Sequence, residues 1–503
     1  MKPSKKNIRQ LSRKNFCKII VYSVVGLLFM VIASLACIWD PAHILAIHMV
    51  RLSKGSIMYN IVTQKDYPCA YYDIYVFNIT NGDAFLSGRE RKLKVEEVGP
   101  FRYQEFRTNT NIDLNVETGI LKYTPKVDIR FIPEFSIGDP EDVVVQMPDM
   151  VLLAAASRAS LHAVFVQYFY NIAVKSLKRQ PIHTTTVHNV LWGTNNDAIM
   201  QVANTFLPGE FDLNTFGILH KIQNSGDTNF VIKATDEEKF KIISFNGEKG
   251  LPVMGYGTNK QSRCNTFKDA YEGISYPIDI TKDTSLRLYR NALCRIIDLE
   301  YYGTRPMGYG PEAYVYRIRR DAFSNTTDTE CVCHLPKCIN GVTDLAPCFY
   351  GAPSGLSNAH FLYSDMKLTD RLEGMNPDEE KHGSEFVIDP KLGVPLSTKF
   401  TVQGNLIMGD VSFNSDLKVF SNMVVPLLYF KIIQPEMPEY FKSLFWVVYI
   451  VGPYFRYALI ITLYSTSFLL LFRAIRLYYS SIVTPIQFPA QELLITENNG
   501  KCH

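Results

Sequence analysis

The sequence predicts a membrane protein in which two transmembrane helices flank one large, mainly β domain with a helical cap. Apolar runs at residues 19–39, without a charge, and 453–472, with Arg456 near one edge, each match the ~20 residues that a helix needs to cross ~30 Å of hydrocarbon. Between them, short aromatic and β-branched runs alternate with Gly and Pro punctuation, the pattern of strands and turns. An Ala/Leu-rich stretch at 148–178 interrupts that pattern and reads as a pair of helices.

The charges beside the two runs orient the chain. Lys2, Lys5, Lys6, Arg9, Arg13, Lys14 and Lys18 precede the first run, and Arg473 and Arg476 follow the second. Positive flanks lie on the cytoplasmic side, so the tails 1–18 and 473–503 are expected inside and the domain 40–452 outside. Ser34-Leu35-Ala36 imitates a signal-peptidase site, but the apolar core ahead of it exceeds the 7–15 residues of a signal peptide. The run is therefore taken as an uncleaved anchor. Arg456 lies near the outer edge of the second run, where an Arg can snorkel to the headgroups.

Composition fits an ordinary folded domain, with 47% hydrophobic and 20% charged residues. A net charge of +3, mostly from the first tail, gives no basic surface for nucleic acid. Of ten cysteines, Cys264, Cys294, Cys331, Cys333, Cys338 and Cys348 crowd into one stretch. Six cysteines allow fifteen pairings, which sequence alone leaves open. Cys331, Cys333, His334 and Cys338 lack the two-residue spacing of zinc knuckles, and an external compartment favours disulfides. Cys69 is left over, and Cys17, at the inner membrane border, is a candidate for palmitoylation. Asn78 and Asn325 head the two glycosylation sequons.

Along the domain, Asp73-Ile-Tyr-Val-Phe-Asn-Ile79, Asp128-Ile-Arg-Phe-Ile132 and Ala313-Tyr-Val-Tyr-Arg-Ile318 read as strands. In the helical stretch, Asp149 is placed as an N-cap, with Lys175, Lys178 and Arg179 at the far end. Those three form a candidate binding cluster for anionic ligands; their blander role is to complement a helix C-terminus. There is no Walker loop, G-x-S-x-G, H-E-x-x-H or kinase signature, so no catalytic residue, metal ligand or cofactor is assigned and the chain is not expected to be an enzyme. His183 and His188 make no metal pair, and the charged run from Asp378 to His382, after an Asn-Pro turn, is expected to be a solvated loop.

Three stretches carry a resemblance. The first is Val76-Phe-Asn-Ile-Thr-Asn-Gly-Asp-Ala-Phe-Leu86 with Val95-Glu-Glu-Val-Gly-Pro-Phe-Arg-Tyr103. The second is Val190-Leu-Trp-Gly193. The third joins His360-Phe-Leu-Tyr363, Glu373-Gly-Met-Asn-Pro-Asp-Glu-Glu-Lys-His382 and Ile388-Asp-Pro-Lys-Leu-Gly-Val-Pro-Leu396. Together they resemble the class B scavenger receptor family, which includes the fatty-acid translocase, the lysosomal integral membrane protein and the sensory-neuron membrane proteins. Phe101 and Ala359 depart from the family's Tyr and Pro. The resemblance implies an antiparallel β-barrel crossed by a lipid-sized tunnel, with an apical helical bundle formed by the 148–179 stretch. It also implies the pairs Cys264 with Cys331, Cys294 with Cys348, and Cys333 with Cys338.

The function so implied is a scavenger-type receptor at the plasma membrane. It would capture fatty acids, sterols, carotenoids or lipoprotein particles at the cap and pass lipid through the tunnel to the membrane. Alternatives are a sensory co-receptor that hands a hydrophobic odorant to a neighbouring receptor, a lysosomal receptor, and an adhesive receptor without lipid transfer. A homo-oligomer is a further expected partner state. Tyr479-Ser-Ser-Ile482 and Leu493-Leu494 resemble sorting signals for endosomal or lysosomal cycling. A two-span channel would need polar positions in its spans, and 24–32 has none.

Overall fold

The computed structural model describes residues 13–482 except 195–197, 199–216, 225, 227, 259–261, 325, 327–338 and 350. Its helices are α1 (Arg13–Ile38), α2 (Pro41–Val50), α3 (Ile57–Thr63), α4 (Gly82–Leu86), α5 (Met150–Ala159), α6 (Val164–Leu177), α7 (Val187–Trp192), α8 (Ile218–Gln223), α9 (Glu379–His382), α10 (Glu439–Trp446) and α11 (Gly452–Ile482). The strands are β1 (Tyr67–Ile79), β2 (Leu93–Asn115), β3 (Ile120–Phe131), β4 (Val144–Pro148), β5 (Ile182–Thr186), β6 (Phe230–Lys233), β7 (Ile242–Phe245), β8 (Ala270–Tyr271) and β9 (Leu286–Arg290). They continue with β10 (Arg295–Pro306), β11 (Glu312–Ile318), β12 (Thr343–Asp344), β13 (Ser354–Ser357), β14 (Leu372–Glu373), β15 (Glu385–Ile388), β16 (Pro395–Ile407) and β17 (Val424–Ile433). The chain divides into a helical unit drawn from its two ends, Met1–Leu45 with Trp446–His503, and a β unit, Ala46–Phe445.

In the helical unit, α1 and α11 are long and apolar enough to cross a membrane. They pack through small residues, as helices do where no hydrophobic force separates them from lipid. Ser467 Oγ donates to the Gly26 carbonyl at 2.6 Å, Ser34 and Tyr464 share a hydrogen bond, and Ala33 and Ala474 are buried. The helix containing the second run continues ten residues past Phe472, because Arg473, Leu477 and their neighbours are good helix formers. Arg456, expected to snorkel, instead donates to the carbonyls of Ala36 (2.9 Å) and Cys37 (2.8 Å), with Asp40 at 3.4 Å. These are orphan acceptors at the α1 C-terminus, where a cation is favoured.

In the β unit, the strands with the β period form one sheet in the order β7-β6-β3-β2-β1-β17-β16-β15-β11-β10-β9-β8. Neighbours are antiparallel except β8 with β9 and the side pair β14 with β2. The two ends of the order meet: an antiparallel bridge joins Lys241, beside β7, to Tyr271 of β8. The sheet is therefore nearly closed into a barrel, with its two end strands joined at that one bridge. The expected strands fall within β1, β3 and β11, and the helical stretch is α5 and α6, with the Asp149 carboxylate accepting from the Leu152 amide at 3.0 Å as N-cap.

Two glycines shape β2. At Gly99, ahead of a cis Pro100, a Cβ would lie 2.7 Å from the Ile74 carbonyl, beside the register shift between Ile74 and Val76. At Gly374 (φ +103°) a Cβ would sit 1.9 Å from the Val95 carbonyl. Only glycine allows these close approaches, and they bring Glu97 and the chain at 374–382 to one side of the barrel. Arg456→Ala should unpin the last turn of α1 at a cost of about 2 kcal/mol. Amide exchange at residues 37–40 of the full chain in nanodiscs should then quicken by roughly 30-fold, and unchanged exchange would show that the Arg456 contacts carry no weight.

Candidate functional site

The strand period places alternate side chains of β16 and β17 inside the barrel. Val402 and Gly404, with Leu428 and Phe430, line a cavity of about 260 Å³, just under the ~300–1,000 Å³ of small-molecule pockets. Met150 of α5 and Val190 of α7 close one side, and Leu293, Leu345 and Leu356 continue the apolar wall. Among the described residues, the basic side chains on this wall are His220 and Lys221. Lys221 of α8 donates to the Cys348 carbonyl and holds its ammonium 3.9 Å from the Phe349 ring centre. Burial pushes its amine down to about 8, since a desolvated ammonium is disfavoured. The chemistry offered is a mainly apolar slot with a cationic point at Lys221, suited to an amphiphile.

The helical pair presents a second surface. On α6, Val164, Phe165, Tyr168, Phe169 and Ile172 recur at helical spacing and are 45–78% exposed, an apolar stripe that a soluble helix would bury. Lys175 and Lys178 are exposed at its C-terminal end. Arg179 faces elsewhere: its guanidinium holds Asp149 in a two-pronged ion pair, 2.6 Å and 2.5 Å, with Asp149 buried.

A third arrangement joins the separated motif stretches. Glu97 comes from β2, His360 from the turn Ala359–Phe361, and His382 from α9. The imidazoles stack, with centres 4.1 Å apart and planes 14° from parallel. His360 Nε2 meets the Glu97 carboxylate, and His382 Nε2 lies 3.9 Å from it. Tyr429 donates to Glu97 at 3.2 Å and packs edge-on against both rings, and Phe77 packs edge-on against His360. Both histidines are buried while Glu97 is about a third exposed. The turn is held under strain: His360, Phe361 and Tyr363 all have φ between 53° and 64°, a region costing ~1–2 kcal/mol per non-glycine residue. Surrounding hydrogen bonds fix it, including the His360 amide to Gln403 Oε1 at 2.7 Å.

These three ligand-type atoms lie within 4.8 Å of one another, but the hydrogen bonds argue against a metal. His360 Nδ1 accepts from the Asn376 amide at 3.0 Å, and His382 Nδ1 from the Asp378 amide at 3.1 Å. A backbone N–H can only donate, so each neutral ring carries its proton on Nε2. Metal-bound histidines instead donate from the second nitrogen. The arrangement is a carboxylate facing two Nε2–H donors.

A model of the CD36 family matches residues 22–478. The chain belongs to the CD36 family. Its relatives include scavenger receptor class B member 1 of Cricetulus griseus, 26% identical over 81% of this chain and 79% of that protein. Lysosome membrane protein 2 is 28% identical in Mus musculus, over 78% of this chain and 80% of that protein, and 27% in Homo sapiens, over 71% and 73%. Membership sets the chain among the class B scavenger receptors and their lysosomal relatives, and the barrel with two terminal membrane helices accords with it.

Of the residues singled out in this CD36-family chain, the Lys175–Lys178–Arg179 cluster is divided, as described. Cys294 and Cys348 are bonded, with S–S 2.09 Å. Cys264 is disulfide-bonded, while Cys331, Cys333, Cys338 and Asn325 lie outside the described residues. Asn78 Nδ2 donates to Glu96 at 2.8 Å. Cys17 is exposed and free on α1, Tyr479 lies within α11, and Leu493 and Leu494 fall outside the described residues. Cys69 is free and half-buried; burial, then the Glu105 carboxylate, pushes its thiol up to about 12. The run at Asp378–His382, expected as a solvated loop, is instead a one-turn helix that turns His382 inward. Sequence reasoning quoted both histidines within motifs without joining them, and passed over Lys221.

The Asp149 carboxylate serves as cap and as partner of Arg179, so its two roles separate by substitution. Asp149→Ala should cost about 2 kcal/mol of unfolding free energy and Asp149→Asn, which keeps the cap, about half that. Equal losses in denaturant titration would assign the whole effect to the ion pair.

Proposed function

We propose that this chain is a scavenger-type receptor of the plasma membrane, with both tails cytoplasmic and the β unit outside. It captures lipids or lipid-bearing particles at the exposed face of α6 and holds lipid in the barrel cavity on its way to the membrane. The observation that carries this is the cavity itself, mainly apolar, with Lys221, His220, Asn224, Ser354 and Asn405 as its polar points. An acyl chain gains about 0.8 kcal/mol per CH₂ on leaving water, so such a slot takes up lipid without energy input, and Lys221 suits an anionic or polar head. The stripe of Phe165, Tyr168 and Phe169 beside Lys175 and Lys178 suits an anionic lipid surface, where aromatic rings insert and cations hold headgroups.

Residence in lysosomes is the second reading, favoured by the relatives named lysosome membrane protein 2.

Extraction and mass spectrometry of the full chain, purified in nanodiscs of defined lipid, tests the first reading. A Cβ at Gly404 would lie 3.9 Å from Leu428, so Gly404→Phe should fill the slot and cut co-purifying fatty acid or sterol at least tenfold. Lys175→Ala with Lys178→Ala should leave that lipid in place and weaken capture of phosphatidylserine vesicles several-fold. Equal lipid in the wild type and Gly404→Phe would refute storage in the cavity.

A further inference from the structure

We propose that Glu97, His360 and His382 form a proton-operated clasp that holds the segment 374–384 against the barrel at neutral pH and lets it go in an acidic compartment. The argument rests on where the protons sit. Each Nδ1 is the acceptor of a backbone amide of that segment, Asn376 for His360 and Asp378 for His382. Protonating either ring puts a hydrogen on Nδ1, and donor then faces donor. At His360, which stands outside the segment, losing the Asn376 amide frees the segment's backbone in that same event; at His382, within the segment, losing the Asp378 amide undoes the turn that sets its ring on His360 and Tyr429. The balance is simple: each ring takes one proton from solvent, and no bond other than hydrogen bonds changes.

The surroundings oppose protonation in place. His382 faces Glu97 of β2, His360 of the preceding turn, Tyr429 of β17, and Asp378 and Lys381 of its own helix. Burial first, then the neighbouring His360, pushes its imidazole down to about 4, against the pull of Glu97. Two stacked imidazoles cannot both charge at 4.1 Å without repulsion. The outer face of α9 is tied down separately, Glu379 by Arg317 at 2.5 Å and Arg320 at 3.6 Å, and the Glu380 carbonyl by Lys399. Those ties involve neither imidazole, so the inner face of the segment is the part that yields. Glu97, about a third exposed, gives protons a path to the stack.

The sign follows from linkage. A histidine whose value is lowered in the closed state supports that state fully above the ordinary 6.5, and support is lost as pH falls from 6.5 toward 4. With closed and open values of about 4 and 6.5, the open fraction at pH 5 rises by about 25-fold over that at neutral pH.

The test is hydrogen–deuterium exchange of the full chain in nanodiscs at pH 7.4, 6 and 5, corrected for intrinsic rates. Peptides covering 374–384 should lose protection by about 25-fold at pH 5, while those covering β9 and β10 hold theirs. His360→Asn with His382→Asn keeps an acceptor for each amide without titrating, and should cut the response to under about threefold. Flat protection at 374–384, or equal loss across the barrel, overturns the clasp. Should the variant misfold, imidazole C2 hydrogen exchange on the wild type decides alone: a His382 midpoint below about 5.5 supports the clasp and one near 6.5 overturns it. Neither readout needs a bound lipid, so the outcome stands apart from that of the lipid proposal.

Discussion

Closing the sheet is the constraint on which the rest of the β unit depends. An open antiparallel sheet would leave β7 and β8 as edges whose unpaired amides and carbonyls invite association with other chains. The bridge between Lys241 and Tyr271 joins them, and the Lys241 ammonium reinforces the seam by pairing with Asp269 at 2.8 Å and Glu238 at 3.0 Å. Closure creates an inside, and the inside makes a cavity possible. It also makes β16 a two-faced wall. Val402 and Gly404 look toward the cavity, while Gln403 holds the His360 turn.

The two faces of that wall communicate through buried polar groups. Gln403 Nε2 donates to Asn405 Oδ1 at 2.7 Å, and Asn405, past the register shift at Gly404, lines the cavity and donates to Ser357. Buried amides cannot lose such bonds cheaply, because each unpaired group costs ~1–3 kcal/mol. The chain of bonds therefore acts as one unit between the strained turn and the cavity wall.

Much of this was legible in the sequence because its signals are local. Apolar runs of membrane length, the period-2 strands at 73–79 and 313–318, and the Asp149 cap each follow from a few adjacent residues. The barrel and the family came instead from motif resemblance, since no local pattern says which strand pairs with which. What stayed hidden depends on register. Glu97, His360 and His382 are 22 to 285 positions apart in sequence, and only the pairing of β2 with β1 and of β16 with β17 brings their elements together. The charged run at 378–382 misled because its composition is that of an exposed loop, and five residues cannot show that one of them turns inward. Arg179 likewise looked like part of a basic patch; its commitment to Asp149 depends on how α5 and α6 fold back on each other.

The unpaired thiol of Cys69 bears on how the molecule keeps its disulfide. Only a thiolate attacks a disulfide. In the folded barrel a thiol raised to about 12 is ionised in only ~1 molecule in 10⁴–10⁵ at neutral pH, against several per cent for an ordinary cysteine. Away from that burial the thiol would ionise as an ordinary cysteine does. Seating β1 between β2 and β17 thus keeps Cys69 from attacking the Cys294–Cys348 bond, and a chain with β1 unseated is open to disulfide exchange.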